Sequence, residues 1–358
     1  MPASTGAMRS RGWWQRRATV PSQPVSVQAL TRPLRVLLVK TSSLGDVVAN
    51  LPVVADILRW SPDARIDWVV EEAFADVVRL HPGVARVIVV AQRRWRKRLL
   101  SAASWAELRA FVVRLQACRY DQIVDTQGLL KSAVIALHAY GTSAGHAWSS
   151  AREPLAALTY DRRILVLKGI HAMERNRRVV AGALRYVLRE PADYGLRCPV
   201  APAAAPSKSF WVALHGTSCD RKQWPEARWV ALGAALSARG LSLVLPWGTE
   251  RERACSERLA ASIPGALTLP HLGVRDLAGL LGAARFVVGV DTGLTHLAAA
   301  LGVPVIALFC HSDPALSGVQ GTAACVNLGG MHCAPDVSAA VEAVNALFES
   351  RRPLLSSG

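Results

Sequence analysis

Residues 35–60, RVLLVKTSSLGDVVANLPVVADILRW, contain the pattern that decides the fold. The first six residues form a short apolar run of the kind that builds a buried parallel strand. A polar turn with Gly45 and Asp46 follows, and the apolar segment from Val47 to Trp60 predicts a helix. A strand, a polar turn and a helix in this order indicate an α/β domain built on a parallel sheet.

The same alternation of strands and helices runs through the chain twice. After residue 60, strands are predicted at 66–70, 87–90 and 122–125, and helices at 73–80, 105–117 and 129–139. A segment rich in Pro and Ala at 191–208 has the composition of a linker. Beyond it, strands are predicted at 210–214, 241–245, 286–290 and 305–309, and helices at 226–238, 252–261, 274–283, 294–301 and 337–349.

This repetition predicts an α/β fold with two Rossmann-like domains that face each other across a cleft. A chain of 358 residues is long enough for two domains with separate cores. We place the first domain at residues 34–190 and the second at 209–335, followed by a C-terminal helix and tail at 336–358. Parallel sheets bind ligands beyond the carboxyl ends of their strands, so the turns after strands are the candidates for chemistry.

The charge of the chain favours anionic partners. Lys and Arg total 42 against 26 Asp and Glu, a net charge of +16, which favours nucleic acid, an anionic membrane surface or phosphorylated substrates. Residues 1–33 contain five arginines and no acid, and we expect a basic, disordered tail that lacks the apolar core of a signal peptide. No uninterrupted apolar run is long enough for a transmembrane segment.

The seven cysteines favour a reducing compartment. They form no CxxC pair and their number is odd, which is typical of a cytoplasmic protein rather than of a disulfide framework. Cys325 and Cys333 lie near His332, but no second group of ligands accompanies them. We therefore predict no metal site.

The turn in residues 287–296, VVGVDTGLTH, is the strongest candidate for phosphate binding. Asp291, Thr292 and Gly293 open a helix directly after a strand, and Gly293 would let a ligand approach the backbone. Free amides and the helix dipole attract a phosphate at such a place. Asp291 or Thr292 could instead only cap the helix, but capping alone leaves Gly293 and His296 unexplained.

Two further turns of the second half could complete a nucleotide site. Thr217, Ser218 and Lys222 follow the strand at 210–214 and offer hydroxyls and an ammonium group to a diphosphate. The same turn could equally be a solvated loop. After the strand at 241–245, Glu250 and Glu252 could each accept hydrogen bonds from a ribose diol, or be ordinary acids in the first turn of a helix.

Asp46 is the candidate for acid–base chemistry in the first half. The turn TSSLGD lacks the Lys-Ser/Thr ending of a Walker loop and a full GxGxxG, which argues against an NTPase or a dehydrogenase. A carboxylate that faces the cleft could remove a proton from an acceptor hydroxyl. Alternatively, Asp46 could only stabilise the dipole of its helix.

A basic run, RRWRKR at Arg93–Arg98, concentrates positive charge after the third predicted strand. Its five cations are Arg93, Arg94, Arg96, Lys97 and Arg98. They could bind the phosphates or carboxylates of an acidic glycolipid. Nucleic-acid binding and a solvated face are the alternatives, although no RRM, KH, zinc-finger or helix-turn-helix pattern surrounds the run.

The chain resembles the lipopolysaccharide heptosyltransferases of glycosyltransferase family 9. The resemblance covers about residues 34 to 350 and is carried, in order, by RVLLVKTSSLGDVVANLP, WVVEE, RRWRKR, DTQGLLKSA, AREPLAAL, HAMER, KQWPEARW, LPWG and VGVDTGLTHLAAALG. The phrases RRWRKR, AREPLA and HAMER are more similar to the members that add the first heptose than to those that add the second.

The resemblance implies a GT-B fold and a role for each candidate residue. It implies inverting, metal-independent transfer of a heptose from ADP-L-glycero-D-manno-heptose to Kdo-lipid A, with no cofactor. Asp46 matches the general base, and the basic run matches the region that binds the acceptor. The donor-binding positions that match are Thr217, Ser218 and Lys222 for the diphosphate, Glu252 rather than Glu250 for the ribose, and Asp291, Thr292 and Gly293 for the donor loop, with His296 just beyond.

Two other functions stay open on the sequence alone. One is a heptosyltransferase that adds the second heptose, and the other is a non-enzymatic module that binds anionic lipid or nucleic acid through its charge. The favoured function predicts a cytoplasmic protein, peripherally associated with the inner membrane, that has no nucleic-acid partner.

Overall fold

The structure, a computed structural model, describes residues 32–98, 101–238 and 240–349. The predicted basic tail lies outside the described residues except for its last two positions, and so does the end of the predicted C-terminal tail from residue 350 onward.

The first half of the chain forms a parallel six-stranded sheet with its first strand in the middle. Its strands are β1 (Arg35–Val39), β2 (Arg65–Glu71), β3 (Val84–Val90), β4 (Arg119–Asp125), β5 (Tyr140–His146) and β6 (Arg162–Ile164). They lie in the order β3-β2-β1-β4-β5-β6, and each neighbouring pair is parallel. Four of the five residues of β1 are buried, which explains why a strand inside such a sheet appears in the sequence as a continuous apolar run.

Helices follow the strands of this sheet. They are α1 (Leu44–Val48), α2 (Pro52–Trp60), α3 (Ala75–Arg79), α4 (Gln92–Lys97), α5 (Ala102–Leu115), α6 (Leu130–His138) and α7 (Ala172–Leu184), with 3₁₀ helices at Glu72–Phe74 and Pro154–Thr159. The prediction of one helix at 47–60 is wrong. The helix is interrupted because Pro52 has no amide hydrogen to continue α1, and Pro52 instead begins α2.

The second half repeats the topology of the first. Its strands are β7 (Phe210–Leu214), β8 (Ser242–Leu245), β9 (Ala266–Thr268), β10 (Val287–Val290), β11 (Val305–Phe309) and β12 (Cys325–Gly329). The order β12-β11-β10-β7-β8-β9 again puts the first strand of the half in the middle. This strand order is that of a Rossmann fold, so the predicted α/β class with two such sheets is confirmed.

The helices of the second half are α8 (Glu226–Ser237), α9 (Glu250–Ser262), α10 (Val274–Ala283), α11 (Gly293–Ala300), α12 (Pro314–Ser317) and α13 (Val337–Glu349), with a 3₁₀ helix at Asp220–Lys222. Within the described ranges, no helix combines the length and the apolar character needed to cross a bilayer.

Three apolar clusters form the core, and one of them joins the two halves. One contains side chains of both sheets and of α2, α3, α7, α10 and α11, so it forms a core shared across the two halves. A second lies under α8, α9 and α13 in the second half. A third lies under α5, α6 and the 3₁₀ helix Pro154–Thr159 in the first half. The shared core brings the carboxyl ends of β1 and β10 toward each other, at the start of α1 and of α11.

Candidate active site

Asp46 lies in the first turn of α1, just beyond the carboxyl end of β1. Its Oδ2 accepts hydrogen bonds from Ser43 N (3.1 Å) and Ser43 Oγ (3.0 Å). Asp46 therefore caps the start of α1 by accepting from the amide of the N-cap residue Ser43. These bonds hold Asp46 where a carboxylate also stabilises the helix dipole, the alternative role, but they occupy only one oxygen of the carboxylate.

The other oxygen of Asp46 faces two cations. Arg152 Nη2 donates to Oδ1 at 2.8 Å, and Lys40 Nζ lies 3.8 Å from the same atom. Burial alone would raise the pKa of Asp46, but Lys40 and Arg152 outweigh it and lower the pKa to about 2. Asp46 is consequently an ionised carboxylate throughout the neutral pH range.

Lys40 is a buried cation held in place by polar partners. Its Nζ donates to the carbonyl oxygen of Thr126 (3.2 Å) and to Asn176 Oδ1 (3.3 Å). Burial lowers the pKa of Lys40 to about 8, against the opposing attraction of Asp46. The ammonium group therefore keeps its charge at neutral pH beside Asp46.

The loop that precedes Asp46 is fixed by the end of β4. Gln127 Oε1 accepts from both Thr41 N (2.7 Å) and Thr41 Oγ1 (2.8 Å). Asp125, fully buried, accepts from the amides of Gln127 and Gly128 and from the Tyr160 hydroxyl. These contacts orient the loop through the neighbouring strand rather than through local sequence.

In the second half, Lys222 and Asp291 form a close ion pair between two loops. Lys222 Nζ lies 2.6 Å from Asp291 Oδ2, which also accepts from Ser312 Oγ at 2.5 Å. Asp291 Oδ1 lies 3.5 Å from His296 Nε2. Burial would raise the pKa of Asp291, but His296, Lys222 and Ser312 outweigh it and hold the pKa well below its usual range.

Glu252 lies at the start of α9 and caps that helix. Its Oε2 accepts from the amides of Gly248 (2.9 Å) and Thr249 (3.0 Å). A Cβ added to Gly216 would collide with Glu252 Oε1, so this oxygen faces the loop that carries Thr217 and Ser218. Glu250, in contrast, is exposed and paired with Arg253. The ribose-binding role of Glu252 stays a prediction.

The starts of α1 and α11 pack directly against each other. A Cβ added to Gly293 would lie 2.5 Å from Leu44 Cβ and 2.8 Å from Gly45 N, and one added to Gly45 would lie 3.6 Å from His296 Cδ2. Thr292 is the N-cap of α11 without a side-chain cap bond. Gly293 is thus needed at least for the close approach of α1, and not only for the approach of a ligand as the sequence suggests.

Because of this approach, Gly293→Ala is expected to lower activity strongly. The added methyl group meets the backbone of α1, which cannot give way without moving the two halves apart. We expect kcat/KM to fall, and the thermal midpoint to fall by more than in the control because the added methyl group strains the core that the two halves share. The control is Gly273→Ala, also at a helix start, where an added Cβ has no neighbour within 4 Å. Equal activity of the two variants would contradict this role of Gly293.

The basic run divides into paired and unpaired cations. Arg94 binds Glu72 and Glu107, and Arg93 lies over the Phe74 ring. Arg96, Lys97 and Arg98 are exposed, and none of them has an acidic group within 4 Å among the described residues. Gln92 Nε2 donates to the carbonyl oxygen of Lys131, whose Nζ donates to Ser42 Oγ at 3.0 Å. The run is therefore linked to the loop that carries Asp46.

Three functional candidates lie outside the residues that sequence reasoning selected. Arg152 and Lys40 contact Asp46, and Ser312 contacts Asp291. Lys40 and Ser312 both stand just after strands that end at the cleft. Their position after a strand, which indicated the other candidate residues, could therefore have indicated these two as well. Arg152 stands more than a hundred residues from Asp46, and no local pattern indicates their contact.

His171 adds a further group from the first half. With Asp46, His296 and Tyr194, it lines a small pocket between the two halves. Its Nε2 bonds to the carbonyl oxygen of Gly318 at 2.8 Å, and burial lowers its pKa. In the part of the chain that the structure describes, no group of three or more His, Cys, Asp or Glu is arranged to hold a metal ion.

Comparison with known proteins supports the resemblance seen in the sequence. The model of glycosyltransferase family 9 (heptosyltransferase) matches residues 108–344. Lipopolysaccharide heptosyltransferase 1 of Pseudomonas aeruginosa is 48% identical over 84% of this chain and 86% of its own length. Lipopolysaccharide heptosyltransferase 1 of Escherichia coli K12 is 42% identical over 80% of this chain and 91% of its own.

Solved structures agree with this relationship. E. coli heptosyltransferase WaaC with ADP has a TM-score of 0.81 and 40% identity, covering 88% of this chain and all of that one. The same enzyme with ADP-2-deoxy-2-fluoro heptose has a TM-score of 0.77 and 39% identity, covering 89% of this chain and all of that one. The predicted GT-B fold is confirmed. On the family match and these identities, the chain belongs to glycosyltransferase family 9, the family of the heptosyltransferases.

Proposed function

We propose that this chain transfers L-glycero-D-manno-heptose from ADP-heptose to the Kdo of Kdo-lipid A, with inversion at the anomeric carbon and without a metal ion. The observation that carries the proposal is the contact between α1 and α11. It brings the ionised carboxylate of Asp46 beside the helix start that follows Asp291. The two WaaC complexes support ADP-heptose as the donor.

Lys222 is the proposed contact of the donor diphosphate. An ammonium group has three N–H donors, and one of them is used by Asp291, which leaves two for phosphate oxygens. The first amides of α11 lack partners within the helix and add a second set of donors. A carboxylate would repel the diphosphate, so we assign Asp291 the task of positioning Lys222 and His296.

The remaining donor contacts follow from the neighbouring loops. Thr217 and Ser218 provide hydroxyl groups to the same phosphates. Glu252 has Oε1 directed toward the loop of Thr217 while Oε2 holds two amides, so Oε1 is the proposed acceptor for a ribose hydroxyl. Together these groups would hold the nucleotide on the second half, with the heptose directed toward α1.

The reaction is a single displacement at the anomeric carbon. The acceptor hydroxyl is held on the face opposite the leaving diphosphate. Its oxygen forms the new glycosidic bond while the bond to the β-phosphate oxygen breaks, and its proton passes to Asp46. Lys222 and the α11 amides stabilise the negative charge that develops on ADP. Cations and amides of this kind can take the place of a metal ion.

The acceptor is proposed to bind along the first half. Its anionic groups would contact the exposed cations Arg96, Lys97 and Arg98, and would also compete with Asp46 for Arg152. Withdrawal of the Arg152 guanidinium from Asp46 would raise the pKa of the carboxyl and make it a stronger base. Because the acceptor is a glycolipid, we also propose that the chain works at the cytoplasmic surface of the inner membrane.

The direct test is donor-dependent ADP release with defined acceptors. Purified protein is incubated with ADP-heptose and Kdo-lipid A that bears no heptose or one heptose. We expect ADP release and one added heptose with the first acceptor and little turnover with the second. Preference for the heptosylated acceptor would assign the chain to the second transfer step, and no ADP release with either acceptor would favour a binding module.

Replacing Arg96 and Lys97 by Ala is expected to raise the acceptor KM roughly tenfold or more, because each cation near an anionic surface contributes about 1 kcal/mol. The dependence of KM on salt should weaken as well. The matched control is Lys208→Ala with Arg275→Ala, two exposed cations of the linker and of the second half. If the acceptor KM changes equally in the two double variants, the basic run is only a solvated face.

A further inference from the structure

An apolar surface of the first half is exposed on two helical elements. We define the leucine face as Leu130, Val134 and Leu137 of α6 together with Leu155 and Leu158 of the adjoining 3₁₀ helix. These five side chains are between 42% and 59% exposed. Contiguous exposed apolar side chains of this kind mark interaction sites on soluble proteins.

The leucine face extends as one continuous surface across two elements that pack against each other. In α6, the exposed residues follow at intervals of four and three, which puts them in one stripe along the helix. In the 3₁₀ helix, Leu155 and Leu158 are three residues apart and therefore eclipse each other. Ala133 and Ala136 of α6 and Ala156 of the 3₁₀ helix are buried in one cluster, so both rows of leucines face away from the same core.

Local contacts hold the two rows together. Leu130 N donates to Glu153 Oε2 at 2.6 Å, and Glu153 N donates to the carbonyl oxygen of Gly128 at 3.0 Å. Glu153 thereby caps the start of α6 from the residue that precedes the 3₁₀ helix. The two exposed rows are thus fixed side by side.

Cations border the leucine face on the side of the active site. Lys131 is exposed next to the stripe of α6, and its Nζ reaches Ser42 beside Asp46. The unpaired cations of the basic run lie beyond it, joined to α6 through the Gln92 contact. Arg163 flanks the 3₁₀ helix and donates to the carbonyl oxygen of Ala157. Apolar side chains with cations at their border suit the interface of an anionic bilayer.

We propose that the leucine face is the surface by which this chain docks on an anionic lipid bilayer. The leucines enter the boundary between headgroups and acyl chains while the bordering cations bind lipid phosphates. The docked chain has the loop of Asp46 close to the membrane, since Lys131 and Arg152 adjoin both the face and that loop. The proposal rests on the proposed function only for its purpose, because lipid binding itself can be measured without any substrate.

The test is co-sedimentation of the full chain with vesicles that contain no acceptor. Vesicles of phosphatidylcholine are compared with equimolar phosphatidylcholine and phosphatidylglycerol, at low and high salt. We expect binding to the anionic vesicles that weakens with salt. In Leu130→Gln with Leu137→Gln, binding should fall about tenfold or more, which corresponds to roughly 1.4 kcal/mol. The matched control is Leu267→Gln with Leu316→Gln, two leucines of similar exposure in the second half.

A second readout separates this proposal from the proposed function. The leucine variant should lose activity on acceptor embedded in vesicles and keep activity on a water-soluble, deacylated acceptor. Vesicle binding equal to that of wild type would overturn the docking proposal even if turnover is normal. So would a dimer of wild type that the leucine variant dissociates while vesicle binding persists, because the face would then be a contact between copies. Absence of ADP release with normal vesicle binding would contradict the proposed function alone.

Discussion

Asp46→Asn is expected to lower kcat by about 100- to 10,000-fold, the range that a positioned general base contributes, while ADP binds almost as in the wild type. The amide keeps the shape of the side chain and an oxygen that can cap α1, but it cannot accept a proton. Because ADP is proposed to bind on the second half, its affinity should not depend on Asp46. Single-turnover rates and calorimetric titration with ADP measure the two quantities separately.

A matched variant separates catalysis from helix capping. Asp276 occupies the third position of α10, as Asp46 does in α1, and is an acid in the first turn of its helix. Asp276→Asn removes the same interaction with the helix dipole at a residue to which no substrate contact is assigned. We expect its activity to stay close to that of wild type. Activity of Asp46→Asn above about a tenth of wild type would rule out Asp46 as the principal base.

The pKa of Asp46 gives this prediction a second measurement. With a pKa of about 2, the carboxylate is ionised through the whole range in which the protein is assayed, so its protonation should not produce an acid limb in the pH profile of kcat/KM. Arg152 is one of the two cations that lower this pKa. In Arg152→Leu the pKa should rise toward its ordinary value, and an acid limb should move upward into the measurable range. If the pH profile of kcat/KM in Arg152→Leu keeps the shape of the wild-type profile, Asp46 is not the base that titrates.

Strands that are buried on both faces were the most predictable part of the fold. In the second half, β7, β8, β10 and β11 are continuous apolar runs because they are buried on both faces, and β11 and α13 have the predicted bounds. The outer strands β9 and β12, which are only partly buried, were not predicted. In the first half, β5 is absent from the sequence prediction. Its sequence, YGTSAGH, has no apolar run, although its last four residues are buried. A Cβ at Gly145 would meet the Tyr160 ring, so tertiary packing, not apolar patterning, selects this strand.

Helix α7 is also absent from the sequence prediction, and the reason again lies in tertiary packing. It buries Asn176 and Arg177, and Arg177 forms a buried pair with Asp56 of α2, with Nε 2.7 Å from Oδ2. Buried polar pairs do not contribute to hydrophobic periodicity, so the pattern of apolar residues does not reveal the helix. The partner of such a pair stands far away in the chain, and only the folded structure identifies it.

The candidate site likewise contains some residues that could be predicted from the sequence and some that could not. Asp46, Lys222 and Asp291 were predictable because each stands in a turn that follows a strand, where parallel sheets place their ligands. Arg152 was not, because its contact with Asp46 depends on how the chain returns after β5. The role of Gly293 in the close approach of α1 was also not predictable, since the neighbour that excludes a side chain there comes from the other half.

Lys222→Met is expected to lower kcat by about 100- to 1,000-fold, comparable to the loss of one preorganised donor to a developing negative charge, and to weaken ADP binding. The variant retains the apolar stem but loses the ammonium group that the diphosphate would contact. Acceptor KM should change much less, because the acceptor is proposed to bind on the first half. Initial rates with each substrate varied in turn, together with ADP titration, measure these effects.

The ion pair between Lys222 and Asp291 requires a control, because Lys222→Met leaves Asp291 buried without its ammonium partner, and that alone could disturb the loop. The double variant Lys222→Met with Asp291→Asn removes both charges. If Lys222 acts on the diphosphate, the double variant stays as weak toward ADP as the single one, although its thermal midpoint recovers. If ADP affinity recovers together with the midpoint, the role of Lys222 is to support the fold around Asp291, and the donor diphosphate must bind elsewhere.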